Sequence, residues 1–449
     1  MQIYHREQGA EQPHWPCGPF KIRLPLVHYR WELAETVQAL IMFVVSLAMI
    51  PLLEQYLGLP YEVALAYVVI GGIGVMLPAL LGVPLVPGWI TPAIPVVLIF
   101  LGNFEPGPEA IRALVALQFL VFLIFFLLGI TRLGSVLVKA IPNSMKAGIL
   151  IGAGIAAIVG EIEPGGRLAM TPVSLVIGSL VSVYLLFSLS FKQWVNRHQL
   201  AQKIANYGMV PAMVLAMVVG WLVAEYPFPD VQFGITRPAF GELLAYLPWS
   251  LGAPTLDMFL IALPTAFIAY VIAFGDIIVG TTLMERVDHD RPDEKIDIDV
   301  NRIHLVTAIR NLLHTLFAPY PGLAGPIWTA VCATTAERYR YGRAAMDSIY
   351  SGSGTFWVVG FAALFVLPLV SLFQPVLPIA LSLTLLVTGY LCISIGIEQV
   401  EEANERGVAG VVAVVLAVHG AGYALAVGAL LYLLVEKTGA KITLTDESG

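Results

Sequence analysis

The chain has 449 residues, of which 58% are hydrophobic and 12% are charged, and its mean hydropathy is +0.82. Soluble domains carry about 25% charged residues, so this composition excludes a soluble globular protein. The apolar runs are continuous and reach the roughly 20 residues that one membrane-spanning helix needs, whereas a membrane β-barrel would show an alternating pattern. The net charge of −7 says little, since membrane proteins concentrate charge in loops, and the sequence shows no basic surface for nucleic acid. The composition therefore predicts an integral membrane protein built from helices.

In chain order, the apolar runs predict an all-α polytopic protein with fourteen membrane segments. They are expected at 33–53, 62–82, 83–102, 111–131, 144–160, 171–190, 207–225, 256–283, 302–318, 319–335, 353–373, 376–397, 408–420 and 422–436. Residues 1–30 contain no apolar signal-peptide core and are expected to form a cytoplasmic N-terminal segment. The predicted division is seven segments in 31–225, a connecting loop in 226–255, seven segments in 256–436 and a cytoplasmic tail in 437–449.

Lysines and arginines are concentrated in alternate loops, for example around Lys21, Arg132, Lys192 and Arg338. Because positive loops stay on the cytoplasmic side, both termini are expected in the cytoplasm of a bacterial inner membrane, with lipid as a partner. The densely charged stretch 284–301 is expected to be a solvated linker.

A proline-glycine motif occurs twice, as Pro-Gly-Trp-Ile-Thr-Pro at 87–92 and Pro-Gly-Leu-Ala-Gly-Pro at 321–326. Seven segments per half is an odd number, so the second copy must run opposite to the first, which indicates an inverted repeat. Proline prevents a regular helix through the preceding turn, so each segment is predicted to be extended first and helical afterwards. The two half-helix N-termini would face each other across a central cavity and offer amides to an anion or a carbonyl oxygen.

Several stretches resemble known transporter families. VQALIMF at 37–43, followed by the run through 48–51, resembles nucleobase (uracil/xanthine) permeases. Ala140-Ile141-Pro142, with glycines at 148, 152 and 154, resembles sulfate permeases, and FGDIIVGTTL at 274–283 with LFAPYPGLAG at 316–325 resembles sulfate permeases and bicarbonate transporters. The resemblance implies one fold of seven plus seven inverted segments, divided into a core and a gate domain.

The same resemblance suggests which residues bind the substrate and the coupling ion. Nucleobase permeases carry two ring-binding glutamates where this chain has Ile272 and Ile327, and their first-segment glutamine-histidine pair is Gln38-Ala39 here. Asp276 matches the carboxylate that bicarbonate transporters use for sodium, and Thr281 is a second candidate ligand for the coupling ion. The substrate-binding residues predicted around the broken segments are Gln38, Trp89, Ile90, Thr91, Gly325, Ile327 and Trp328.

Other polar residues receive structural assignments. Arg310 and His314 are predicted to lie on an amphipathic interfacial helix, and Glu35 at the cytoplasmic membrane edge. Three dispersed cysteines (Cys17, Cys332 and Cys392) have no metal-ligand spacing, and the sequence has no phosphate loop or nucleophile triad. No metal, cofactor or enzyme activity is therefore predicted.

The sequence predicts a secondary active transporter, coupled to H⁺ or Na⁺, that moves a small anionic or polar solute. A proton-coupled nucleobase permease and a passive anion channel are the alternatives. The oligomeric state is left open, with a homodimer among the options.

Overall fold

A computed structural model describes residues 5–134, 136, 141–195, 197–205 and 209–437. Ala140 of the sulfate-permease-like motif and residues 438–449 of the predicted tail lie outside these ranges. The α-helices are Leu33–Met42, Val44–Leu47, Ile50–Leu57, Tyr61–Leu80, Ile94–Leu101, Pro108–Thr131, Asn143–Ile162, Arg167–Met170, Pro172–Phe187, Leu189–Val195, Gln199–Ala205, Val210–Leu222, Phe240–Leu243, Pro248–Leu251, Leu256–Asp290, Val300–Phe317, Thr329–Arg340, Ile349–Ala363, Leu367–Phe373, Leu377–Glu398, Ala403–His419 and Ala421–Leu431. Short 3₁₀ turns cover Thr91–Ala93, Leu244–Tyr246 and Gln374–Val376, and a π-helical turn covers Tyr432–Glu436. The strands are β1 (Trp15–Cys17), β2 (Phe20–Ile22), β3 (Gly88–Trp89) and β4 (Ala324–Gly325).

Six helical stretches within the described ranges are long and apolar enough to cross a membrane. They are Leu33–Leu57, Tyr61–Leu80, Pro108–Thr131, Asn143–Met170, Leu256–Asp290 and Leu367–Glu398. The pair Pro172–Phe187 and Leu189–Val195, bent by 61°, makes a seventh if it is counted as one span. The chain is a multi-pass membrane protein, and several of the remaining apolar helices are short, including Thr91–Leu101 and Val210–Leu222.

The helices pack in two groups, each drawn from both halves of the chain. In the first group, Leu256–Asp290 and Val300–Phe317 pack against Pro108–Thr131, while Tyr61–Leu80 packs against Val300–Phe317 and Ile349–Ala363. In the second group, Asn143–Ile162 is held between Leu377–Glu398 and Ala403–His419. Glycine permits the close contact between Asn143–Ile162 and Leu377–Glu398, since a β-carbon at Gly154 would lie 2.6 Å from the Gly389 carbonyl oxygen.

The N-terminal segment is folded rather than a plain lead-in. Strands β1 and β2 form an antiparallel hairpin, in which Trp15 pairs with Ile22 and Cys17 with Phe20. Arg6 is buried and donates to the Asp293 carboxylate at 2.8 Å and to the Asp347 carbonyl at 2.9 Å. The segment is therefore fixed to loops that lie about 290 and 340 positions later in the chain.

The prediction of a solvated linker at 284–301 is wrong. The helix that begins at Leu256 continues to Asp290. The loop after it is hydrogen-bonded to the N-terminal segment, where the Gly9 amide donates to the Asp293 carbonyl, and to the loop before Ile349, where Arg291 donates to the Asp347 carbonyl. Arg291 is buried and donates to the Met346 carbonyl at 2.7 Å and to Asp293 at 2.7 Å. Arg291 and Asp293 therefore pair within the protein, whereas Glu285, Arg286 and Lys295 of the same stretch are exposed.

Candidate functional site

The two proline-glycine segments meet in an antiparallel strand pair. Gly88 of β3 lies opposite Gly325 of β4, and Trp89 lies opposite Ala324. After β3 the chain makes a 3₁₀ turn at Thr91–Ala93 and then the helix Ile94–Leu101, and after β4 it forms the helix Thr329–Arg340. The prediction that both segments are extended first and helical afterwards is confirmed.

Backbone hydrogen bonds extend the strand pair on both sides. The Trp328 amide donates to the Val86 carbonyl at 2.7 Å, and the Ile90 amide donates to the Gly322 and Leu323 carbonyls at 3.0 Å each. The two broken segments thereby satisfy each other's backbone groups, which a membrane interior requires of any non-helical chain.

Arg310 joins the two strands from the helix Val300–Phe317. It is fully buried, and its guanidinium donates to the Gly325 carbonyl and, at 2.9 Å, to the Gly88 carbonyl. Its carbon Cζ lies 5.8 Å from the centre of the Trp89 ring. The prediction of an interfacial helix for Arg310 and His314 is wrong, because both side chains are completely enclosed by protein.

Asn311, the next residue, binds β4 as well. Its amide donates to the Ala324 carbonyl at 2.9 Å and its oxygen accepts from the Ala324 amide at 3.0 Å. Gln118, from the helix Pro108–Thr131, accepts from the Tyr320 amide at 2.9 Å. Buried amide side chains that make paired bonds of this kind fix a backbone in one conformation.

An aromatic cluster covers Trp89. The rings of Trp89 and Tyr320 have centroids 4.5 Å apart, and His314 lies 5.3 Å from Trp89 in an edge-on arrangement. His314 Nδ1 donates to the Ala318 carbonyl at 3.0 Å, which orients the ring. Part of the Trp89 face is thus already occupied by protein, although the side chain remains partly exposed.

The predicted substrate residues differ in accessibility. Ile90, Gly325 and Ile327 are buried, whereas Gln38, Trp89, Thr91 and Trp328 are partly exposed and Thr329 is exposed. Neither half-helix has a side-chain cap at its N-terminus. At the first, Pro92 and Pro95 have no amide hydrogen, and the amides of Ala93 and Ile94 donate to the Ile90 and Thr91 carbonyls, which leaves the Thr91 amide without a partner among the described residues. At the second, the first amides of Thr329–Arg340 have no capping side chain. The strand pair is therefore enclosed, while the points where helices begin remain open.

Gln38 approaches the second half-helix. Its amide donates to the Thr334 hydroxyl at 3.3 Å, which leaves the Gln38 carbonyl oxygen as an acceptor near that helix. Trp328 lies beside Trp357, with ring centroids 5.9 Å apart.

The helix that carries Asp276 passes over both broken segments. Leu256–Asp290 contacts the Thr91–Ala93 turn, the helix Ile94–Leu101 and the helix Thr329–Arg340. One turn after Asp276, a β-carbon at Gly280 would lie 3.0 Å from Leu85 and 3.1 Å from Ile327, so the helix touches both segments there. Asp276 is partly exposed and forms no ion pair with any described residue.

Thr281 is not on the same helix face as Asp276. Its hydroxyl donates to the Ile278 carbonyl at 3.0 Å, and five residues correspond to a rotation of about 140° around an α-helix. A cavity of about 580 Å³ lies further along the same helix, lined by Leu283, Glu285, Val287 and Asp290 and, from the facing helix, by Ala333, Glu337 and Arg340. Neither Asp276 nor Thr281 lines it.

The fold is similar to that of solved transporter structures. It aligns with the transmembrane domain of the cyanobacterial bicarbonate transporter BicA at a TM-score of 0.55 and 16% identity, covering 88% of this chain and 97% of that chain. It aligns with SLC26A9 at 0.56 and 15% identity, covering 89% of this chain and 64% of that chain. A murine SLC26A9 anion transporter in the inward-facing state gives 0.54 and 15% identity, covering 90% and 67%.

The chain has the BicA and SLC26A9 fold. It spans about two thirds of the length of the SLC26A9 chains. No protein-family model and no curated protein matches the sequence. The resemblance to sulfate permeases and bicarbonate transporters is therefore confirmed at the level of fold.

Sequence reasoning missed Arg310, Asn311 and Gln118, the three side chains that hold the strands. One signal was present, since a charged residue in an apolar segment is costly and usually functional. Glu35, predicted at the cytoplasmic membrane edge, has a buried side chain that pairs with Arg338.

Proposed function

We propose that the chain is a secondary active transporter, coupled to H⁺ or Na⁺, that moves a small anionic or polar solute by alternating access. The observation that carries the proposal is the strand pair β3–β4, which leads into two uncapped, accessible helix starts. The fold supports it, because BicA is a bicarbonate transporter and murine SLC26A9 an anion transporter.

The chemistry at the helix starts favours an anion. The first half-helix offers the Thr91 amide and the second offers the amides that begin Thr329–Arg340, and the N-terminus of each carries about half a positive charge. Ile272 and Ile327 are buried and apolar, so the positions that hold glutamates in nucleobase permeases offer no acceptor. A uracil or xanthine ring would leave its own N–H groups unpaired at about 1–3 kcal/mol each, whereas a carboxylate or oxyanion brings only acceptors.

Asp276 is the proposed coupling residue. An ionisable residue within a membrane segment is costly, so a functional role is the default interpretation. It lies one helical turn from the contact with Leu85 and Ile327, and a bound proton or sodium ion there would be close to both broken segments. Thr281 is a weaker candidate ligand for the coupling ion, because it lies on another face of the helix.

Alternating access would use the two helix groups. The helices Asn143–Ile162 and Leu377–Glu398 of the second group contact the Thr91–Ala93 turn of the first half-helix, so relative movement of the groups would open and close the site. We extend this to fourteen membrane segments in two inverted repeats, 31–225 and 256–436, with both termini in the cytoplasm of a bacterial inner membrane.

The experiment is a thermal-shift and transport series on the purified protein. Chloride, bicarbonate, sulfate and benzoate are compared with uracil, xanthine and adenine, and the anion that stabilises most is then tested for uptake into proteoliposomes. We expect anions to stabilise more than nucleobases, and uptake to exceed the external concentration when a proton or sodium gradient is applied.

Two results would oppose the proposal. Micromolar uracil or xanthine binding that excess anion does not displace indicates the nucleobase permease. Anion flux that only dissipates a gradient, whatever ion gradient is imposed, indicates the passive channel.

A further inference from the structure

The buried charge of Arg310 has only neutral partners. Its guanidinium binds the carbonyls of Gly325 and Gly88, and its Nε has no hydrogen-bond partner. No aspartate or glutamate among the described residues forms an ion pair with it. The arginine therefore contributes an uncompensated positive charge to the interior of the first helix group.

That charge lies close to both helix starts. Gly88 precedes Thr91 by three residues, and Gly325 precedes the N-cap Trp328 by three. An extended residue spans at most about 3.5 Å, so each start lies within about 11 Å of a carbonyl that Arg310 binds. The positive end of each helix dipole adds to the field of the guanidinium, and both have the same sign.

The strand pair has other supports. Backbone bonds from Trp328 and Ile90, together with the paired bonds of Asn311, already join the segments. A neutral amide could donate to a carbonyl here without the cost of a buried charge. The placement of a full charge at this point suggests an electrostatic role beyond fastening.

We propose that Arg310 determines the charge selectivity of the site: its guanidinium, held behind the strand pair, favours a singly or doubly negative solute over a neutral one of equal shape. The inference rests on the proposed function and deepens it, since it names the residue that makes the binding site anion-selective. Arg310 does not touch the solute and acts through the field at the two helix starts.

The test compares Arg310→Gln and Arg310→Lys with the wild type in binding titrations of benzoate and benzamide, which have nearly the same shape and differ in charge. Chloride, bicarbonate and sulfate are titrated in parallel. We expect Arg310→Gln to weaken anion binding about tenfold, as a unit charge about 10 Å away does at an effective dielectric constant of about 20. Benzamide binding should not change, and Arg310→Lys, which keeps the charge but not the two-pronged geometry, should bind anions within about threefold of wild type.

The outcomes separate the proposals. If the wild type binds none of the four anions, the proposed function fails and the inference with it. If Arg310→Gln is folded and binds anions as wild type does, the inference alone fails. If Arg310→Lys folds but loses anion binding, Arg310 serves to hold the two strands together, and the proposed selectivity role is wrong. If neither variant folds, the wild type decides: equal affinity for benzoate and benzamide contradicts the inference, and a preference for benzoate of about tenfold or more supports it.

Discussion

Gly88 and Gly325 lie opposite each other in the strand pair, and neither position has room for a side chain. A β-carbon at Gly88 would lie 2.9 Å from the Trp328 β-carbon, and one at Gly325 would lie 2.8 Å from the Ile90 amide nitrogen. The contacts are to backbone or to the rigid base of a side chain, so the strands would have to separate to admit a methyl group.

Gly325→Ala is therefore expected to destabilise the protein by about 1–3 kcal/mol, the usual cost of overpacking an enclosed site. It should also weaken binding of any anion held at the helix starts. Thermal unfolding in detergent measures the first effect and ligand titration the second. Gly410→Ala is the control, because a β-carbon there meets nothing within 4 Å on the helix Ala403–His419. A Gly325→Ala protein as stable as that control would contradict the tight packing.

Asp276→Asn is expected to abolish uphill uptake while leaving exchange intact. One coupled charge moving through 100 mV supplies about 2.3 kcal/mol, which corresponds to roughly fiftyfold accumulation. Without the carboxylate the accumulation ratio should fall to about one, whereas counterflow, which needs no driving ion, should continue. Proteoliposome assays measure both. The control Asp257→Asn lies on the same helix in its exposed first turn and should behave as wild type. If Asp276→Asn accumulates the solute as the wild type does, Asp276 has a structural role only.

The ion pair between Glu35 and Arg338 predicts a double-mutant result. Glu35 is completely buried and Arg338 is 31% exposed. Arg338→Met leaves a buried carboxylate without its partner and should cost about 2 kcal/mol, below the 3–5 kcal/mol of fully buried pairs because water screens the arginine. Adding Glu35→Gln to Arg338→Met should recover part of that loss. Chemical unfolding measures the cycle, and additive effects would show that the pair is not coupled.

Attachment of the N-terminal segment should weaken in acid. Burial opposes ionisation of Asp297, but bonds and charges from Lys21 and Arg302 outweigh it and lower the pKa of Asp297. The pKa of Asp293 is lowered in the same way, against its burial, by Arg291 and Arg6. Because both folded-state pKa values lie below the ordinary value, their stabilisation is present above about pH 4 and is lost as the pH falls further.

Pepsin cleavage within residues 5–32 is the measurement, normalised at each pH to cleavage of an unfolded peptide. Measured between about pH 5 and pH 2, the normalised rate should stay low at the upper end and rise below about pH 4. Asp297→Asn should already show faster cleavage at the upper end of that range. A rate that is flat across the range would mean that these ion pairs do not hold the segment.

The sequence could predict the helices and the two broken segments because those features are local. Continuous apolar runs of membrane length mark helices, and prolines at 87, 92, 321 and 326 forbid regular helix where they stand. The pairing of β3 with β4 was not predicted: the two segments were expected to face each other across a cavity, whereas their strands are hydrogen-bonded directly to each other.

The polar contacts could not be predicted because their partners are distant in the chain. Arg310 binds Gly88 across 222 positions, and Arg6 binds Asp293 across 287. A sequence gives the charge of Arg310 but not which carbonyls it reaches, so an interfacial position was predicted for a side chain that is in fact buried. The charged stretch after Asp290 had the composition of a solvated loop for the same reason.

The strand pair has a consequence for the order of synthesis. Its two strands lie more than two hundred residues apart, and at about 5–20 residues per second the ribosome needs at least about ten seconds to make the second after the first. During that interval the carbonyl and amide groups around Gly88 have no ladder partner, and bare lipid is a poor environment for them. The first broken segment must therefore wait in contact with water or other protein, and the binding site comes into existence only when the second half of the chain has been inserted.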